Sequence, residues 1–273
     1  MPSFTKDSFT LHYEECGSGE PVLLIMGITA DHSVWEPHSS VWQNQFRCLL
    51  PDNRGVGQTD APSGDYSTAQ MADDMLALLN HLEIDSVHVV GCSMGSTIAQ
   101  QVALRAPERV KSLVLMCPWA RCDAYARETF EHLLACYRDL SPGAFMQYIQ
   151  LLIFDKSTWD NGGEHAGFLQ GRQSAEDAAA NNERQSIQGL TGQTAACINH
   201  NVLADLPRLT CPTLIIGGEN DIFTPQWMAD EIHAALPNSE LYLYQDAGHG
   251  FHFENIDDFN QRIAAFLTSH SCS

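Results

Sequence analysis

Apolar and polar positions along the chain fall into two alternating rhythms. Phe9-Thr10-Leu11-His12-Tyr13 alternates with period two and predicts an exposed strand, ended by the turn Gly17-Ser18-Gly19. Residues 21–26 form an unbroken apolar run, and 46–50, interrupted only by Arg47 and closed by Pro51, form a second. Runs of this kind predict strands covered on both faces. Residues 86–90, 110–116, 212–216 and 239–244 predict four more. Between them, Met71, Met75, Leu78, Leu79 and Leu82 recur at helical spacing over 68–82. Further helices are predicted over 94–105, 226–236 and 256–267. Strands alternating with helices imply an α/β fold with a mostly parallel sheet and right-handed crossovers.

The alternation stops at Cys117-Pro118 and resumes at Pro212. From Trp119 to Asp205 no central strand is legible; 125–140 and 142–154 are amphipathic helices, and stretches such as 178–184 are polar. The expected organisation is therefore one α/β core, residues 1–118 and 206–273, split by a helical cap insertion at 119–205.

Composition narrows the function classes. The chain has 273 residues, 44% hydrophobic and 18% charged, as a globular protein should. Fourteen Lys and Arg against 34 Asp and Glu give a net charge of −20. That balance argues against a nucleic-acid partner, which needs clustered bases, and against anionic membrane surfaces. The bases are scarce, with lysines only at 6, 111 and 156. The charge supports solubility; adaptation to high salt is the sharper reading, and it requires better activity and melting temperature in molar salt. No apolar run is long enough to span a bilayer. The start, with Lys6 and Asp7, lacks the apolar core of a secretory signal.

Nine cysteines (16, 48, 92, 117, 122, 136, 197, 211 and 272) show no CxxC spacing. Reduced, mostly buried thiols in a cytoplasmic protein are expected. Without clustered Cys/His ligands, neither metal nor cofactor is expected.

The chemistry lies in the loops after the strands. Gly91-Cys92-Ser93-Met94-Gly95 is a GxSxG match between a β-branched strand and a small-residue helix. A sharp strand-to-helix turn there can lift the serine hydroxyl to the sheet edge. Serine needs a base, and the base an orienting acid. Asp221 follows the strand 212–216, and His249 follows the strand 239–244. The order Ser93, Asp221, His249 is that of a nucleophile-elbow hydrolase. Glu219 and Asp123 are rival acids. His252, between Phe251 and Phe253, is a rival base more suited to packing. Two backbone N–H donors would complete an oxyanion hole, and the pattern assigns them to Met94 and, in the turn after 21–26, to Ile28.

On these motifs the chain resembles the α/β-hydrolase-fold serine hydrolases, within them the carboxylesterase and 3-oxoadipate enol-lactonase-like group. The similarity runs over nearly the whole chain and includes Asp52-Asn53-Arg54-Gly55-Val56-Gly57, Cys211-Pro212-Thr213 and the segment 248–255. Many members have His-Gly where this chain has Met26-Gly27, so support for that loop must come from elsewhere. The resemblance implies an acyl-enzyme on Ser93, with Cys92 pointing away from the pocket. Serine at the elbow excludes the aspartate-dependent dehalogenases and epoxide hydrolases and the cysteine-dependent dienelactone hydrolases.

The insertion should roof the site. Trp35, Trp119, Tyr137 and Tyr148 are the expected substrate contacts, with Phe130, Leu134, Phe145, Ile149 and Phe154 as further lining candidates. Arg121, Arg127 and Arg172 are the only evident candidates for a substrate carboxylate, and no clamp is identifiable among them. A carboxylesterase acting on a small-molecule ester is therefore expected. A lactonase or C–C bond hydrolase with the same residues is the alternative within enzymes, and a non-catalytic binding protein of this fold the alternative outside them. The chain is compatible with a homodimer.

Overall fold

The structure is a computed structural model that describes residues 2–6, 8–160, 165–236 and 238–271. Asp7 and Cys272 lie outside the described residues. The strands are β1 (Ser3–Lys6), β2 (Phe9–Cys16), β3 (Glu20–Ile25), β4 (Phe46–Pro51), β5 (Val87–Cys92), β6 (Val110–Met116), β7 (Thr213–Gly218) and β8 (Glu240–Tyr244). Among the described residues these eight form one sheet, ordered β1-β2-β4-β3-β5-β6-β7-β8. The pairings β1–β2 and β2–β4 are antiparallel and the others parallel.

The central strands obey a period of two. Leu23, Ile25, Val89, Leu113, Leu115 and Ile215 point to one face, against Met71, Met75, Ile98 and Val102. Val22, Leu24, Val90, Val114, Leu214 and Ile216 point to the other, against Trp35, Trp42, Phe259 and Ile263. Unbroken apolar runs are the signature of such two-sided burial. The helices are α1 (Glu36–Trp42), α2 (Thr68–His81), α3 (Met94–Arg105), α4 (Ala124–Asp139), α5 (Pro142–Ile153), α6 (Lys156–Asp160), α7 (His165–Ala180), α8 (Ile187–Asn199), α9 (Gln226–Ala235), α10 (Phe251–Glu254) and α11 (Ile256–Ser269). Helices α4 to α8 form one excursion between β6 and β7. Among the described residues, no helix is long and apolar enough to cross a membrane.

Three details differ from the sequence reading. Strand β1 was not anticipated. Strand β2 is not exposed at its centre: Leu11 and Tyr13 pack into the core on one face, and His12 is buried against the His32 ring on the other. Helices α6, α7 and α8 went unread; the buried face of α8 consists of Gly189, Leu190, Gly192, Gln193, Thr194, Ala196 and Cys197, which carry little hydrophobic periodicity. Its start is nonetheless marked by Ser186, whose side chain accepts from Gly189 N. The described cysteines are free; Cys48, Cys92, Cys117 and Cys197 are buried and the other four are partly exposed.

Candidate active site

Ser93 joins β5 to α3 with φ 55 and ψ −121, a region that a non-glycine residue occupies only when its surroundings hold it there. The holding contacts are its N–H, donated to Met116 O at 2.9 Å, and its carbonyl, which accepts from Ser96 N at 2.8 Å and Ser96 Oγ at 2.6 Å. Two glycines make the turn sterically possible. A Cβ on Gly91 would collide with the Gly95 carbonyl, and one on Gly95 with the Ile25 carbonyl. The elbow therefore packs backbone against backbone on both sides.

His249 and Asp221 converge on the same end of the sheet. Asp221 Oδ2 lies 2.7 Å from His249 Nδ1. The carboxylate also accepts Phe223 N at 2.8 Å and Thr224 N at 2.9 Å on Oδ1. The Thr224 hydroxyl stands 2.9 Å from Asp221 Oδ2 and 3.1 Å from Cys117 O. Burial lowers the His249 pKa, but the charge and hydrogen bond of Asp221 outweigh it and leave it above the ordinary histidine value. With Nδ1 donating to Asp221, Nε2 of the neutral ring carries the lone pair.

That nitrogen faces Cys117 Sγ at 3.5 Å. Ser93 Oγ is buried and has no hydrogen-bond partner among the described residues. No hydrogen bond therefore joins Ser93 Oγ to His249 Nε2. Cys117 Sγ is also 3.9 Å from Cys92 Sγ.

The loop after β3 runs beside the serine: a Cβ on Gly27 would stand 3.1 Å from Ser93 Cβ. Where a histidine is missing at Met26, Asn53 Nδ2 supports the loop by donating to Met26 O at 2.7 Å. Gln193 Oε1 accepts Thr29 N at 3.2 Å, and Gln193 Nε2 donates to Arg54 O at 2.9 Å. Ile28 lines the cavity next to Ser93. Met94 opens α3, so its N–H has no carbonyl partner within the helix.

The cavity over Ser93 and His249 has a volume of about 490 Å³. Its apolar wall comes from Ile28, Val34, Leu133, Met146, Ile149 and Ile153, with Phe223 beside His249 and Phe253 beside His252. Helices α4 and α5 supply four of these, and of the sequence candidates only Ile149 is among them. Trp35, Trp119, Tyr137 and Tyr148 do not reach the cavity. Trp35 is fully buried against Trp42 and His38. Trp119 is fully buried against Phe130. Tyr137 donates its hydroxyl to Gln185 O and stacks with Arg184. Tyr148 packs against His132 and Phe145. For Trp35 and Trp119 the large ring finds more apolar area in the core than at a cavity wall. Cys92, expected to point away, contributes to the cavity lining.

The rival residues have other tasks. Asp123 caps α4 by accepting Ala126 N at 2.8 Å, and Glu219 is exposed rather than packed. Arg121 pairs with Glu231, Arg127 with Glu131, and Arg172 donates to Gln150 Oε1. The fold also assembles donor sets that short spacing did not show: His12, Glu14 and His32; Asp31, His32 and Asp52; and Cys117, Asp221 and His249. Internal hydrogen bonds already engage them, as with His32 Nδ1 and Asp52 Oδ1 at 2.7 Å.

Thr224, Phe223 and Cys117 were missed by sequence reasoning. Only Thr224 had a usable signal, as a hydroxyl three residues past a loop aspartate. A further missed feature ties the excursion to both loops. Glu254 accepts Asp155 N and Thr158 Oγ1, each at 2.7 Å, and Gly248 N at 2.8 Å. Asp155 Oδ2 accepts Asn220 Nδ2 at 3.0 Å.

A family model described as alpha/beta hydrolase fold matches residues 20–256. A Mycobacterium tuberculosis protein named as the non-heme bromoperoxidase BpoC is 32% identical over 95% of this chain and 98% of its own. A Stutzerimonas stutzeri protein named as the carbamate hydrolase RutD is 28% identical over 94% and 96%. Among solved structures, a thermophilic esterase from Thermogutta terrifontis superposes with a TM-score of 0.83 at 26% identity, covering 97% of this chain and 95% of that one. With the elbow, the sheet order and a match over most of its length, the chain belongs to the alpha/beta hydrolase fold family.

Proposed function

We propose that this hydrolase cleaves carboxylic esters of small to medium acyl or aryl substrates through an acyl-enzyme on Ser93. The observation that carries the reading is the 2.7 Å contact between His249 Nδ1 and Asp221 Oδ2, at a cavity that Ser93 and His249 both line. It leaves Nε2 as the base. As Nε2 exchanges the Cys117 thiol for the Ser93 hydroxyl, the Oγ proton passes to Nε2 and Oγ bonds to the ester carbon. The Ile28 and Met94 N–H groups hold the resulting oxyanion. His249 then protonates the departing alcohol, and the same nitrogen deprotonates the water that releases the acid. Asp221 stabilises the transient imidazolium throughout. Helices α4 and α5 act as the cap, giving the acyl pocket its apolar wall.

Neutral esters fit better than carboxylate-bearing lactones. Asp31 and Glu36 are among the lining residues, Lys and Arg are not, and the three candidate arginines are engaged elsewhere. The test is a panel of p-nitrophenyl esters and lactones. Ester turnover that disappears in Ser93→Ala supports the reading; lactone turnover with inert esters overturns it.

A further inference from the structure

Helix α10 places a second histidine, His252, in the wall of the same cavity, three residues beyond His249. It is 3% exposed and belongs to a buried polar chain that the hydrolytic mechanism does not use. His252 Nδ1 lies 2.9 Å from His38 Nε2, and His38 Nδ1 lies 2.7 Å from Asn260 Oδ1.

The chain has a direction. Asn260 Nδ2 donates to Pro37 O at 3.4 Å, which leaves Oδ1 as the acceptor. His38 Nδ1 therefore carries the proton. Burial lowers the His38 pKa to about 4, so at neutral pH the ring is neutral and its Nε2 is a lone pair. That lone pair requires a proton on His252 Nδ1. Burial, followed by the charges of His38 and His249, holds His252 well below the ordinary histidine value. Its Nε2 is then a lone pair as well. The hydrogen bond that His252 makes among the described residues is through Nδ1, and the residue lines the cavity.

Packing alone does not account for such an arrangement. His252 lies between Phe251, Phe253 and Phe259, where another aromatic ring would serve. A buried polar network is costly unless every member is satisfied. This one is satisfied from Asn260 to His252 Nδ1, and the ring that ends it belongs to the wall of the cavity. Pockets of this kind set ligand orientation with a few polar groups on an apolar wall.

We propose that His252 is a specificity-determining residue whose Nε2 accepts a hydrogen bond from a hydroxyl or N–H of the substrate, so that hydroxylated esters are preferred over their alkyl counterparts. The inference rests on the ester-hydrolase reading and adds the substrate class. A site built to pair with a donor discriminates against the analogue that lacks it.

The test compares kcat/KM for matched esters in which a hydroxyl on the acyl chain (at C2, C3 or C4) or on the alcohol part replaces a methyl group. The wild type should favour at least one hydroxy ester by about tenfold, the scale of one neutral hydrogen bond. His252→Phe should reduce that ratio to about one while still hydrolysing the methyl esters. His252→Gln, whose amide can donate to His38 and still present an oxygen to the cavity, should restore part of it. A wild-type ratio near one at every position, or a ratio unchanged in His252→Phe, overturns the inference and leaves the esterase reading standing. A wild-type enzyme inert on all the esters overturns both.

Discussion

His249 Nε2 lies 3.5 Å from the Sγ of Cys117, on the side of the ring opposite the nitrogen held by Asp221. The base is thus oriented and supplied with a lone pair before substrate arrives, while the serine hydroxyl waits without a partner. On the proposed mechanism the serine hydroxyl displaces the thiol from Nε2, and the thiol takes no part in the chemistry. Cys117→Ala should accordingly keep kcat/KM within a few-fold of wild type, or raise it. A loss of a hundredfold or more, in a variant with unchanged circular dichroism, would make the thiol part of the chemistry.

The raised pKa of His249 sets the acid limb of the pH profile. Activity needs the neutral ring, so kcat/KM should fall with decreasing pH through a value above about 6.5, the ordinary histidine value. Stability shifts the other way. A folded-state pKa raised above the unfolded one adds stability that is fully present below about 6.5 and is lost as pH rises through the folded value. Urea unfolding of wild type and Asp221→Asn across that window reads the second effect. An acid limb below pH 6 would contradict the first.

Asp221→Asn keeps the shape of the acid but presents an amide to His249 Nδ1, which favours the wrong tautomer. By comparison with the equivalent change in serine proteases, kcat should fall by about 10⁴. Thr224→Val removes the neighbouring hydroxyl, 2.9 Å from Asp221 Oδ2, and should cost about tenfold or less. Equal losses in the two variants, measured by burst and steady-state kinetics, would show that the hydroxyl shares the role of the carboxylate.

Glu254 gathers donors from α6, from the segment before it and from the His249 loop. Glu254→Ala leaves those donors unpaired and should destabilise the fold by about 1–3 kcal/mol. Because Gly248 N is one of them, kcat should drop together with the melting temperature. A lower melting temperature with unchanged kcat would mean that the latch holds the cap without positioning the base.

Much of this site is legible in the sequence. Ser93, Asp221 and His249 each follow a strand that the sequence predicts, and ligands in open α/β sheets bind outside the strand C-termini. Apolar runs likewise made β3 to β7 readable. The cavity wall was not. Helical spacing shows that α4 and α5 have apolar faces, but not which apolar residue meets the core and which meets a void. Large rings such as Trp119 and Tyr137 were drawn inward, leaving Leu133, Met146, Ile149 and Ile153 at the cavity. The loop support from Asn53 and Gln193 joins residues far apart in the chain, which no local pattern records. The same holds for the chain from Asn260 through His38 to His252.

The central claim is that Ser93 is the nucleophile and His249 its base. A fluorophosphonate probe followed by peptide mass spectrometry tests it most directly. The account predicts one adduct, on Ser93, whose rate of formation falls at least a hundredfold in His249→Ala and which is absent in Ser93→Ala. An adduct on another residue, or none on Ser93 in the folded wild type, would contradict it.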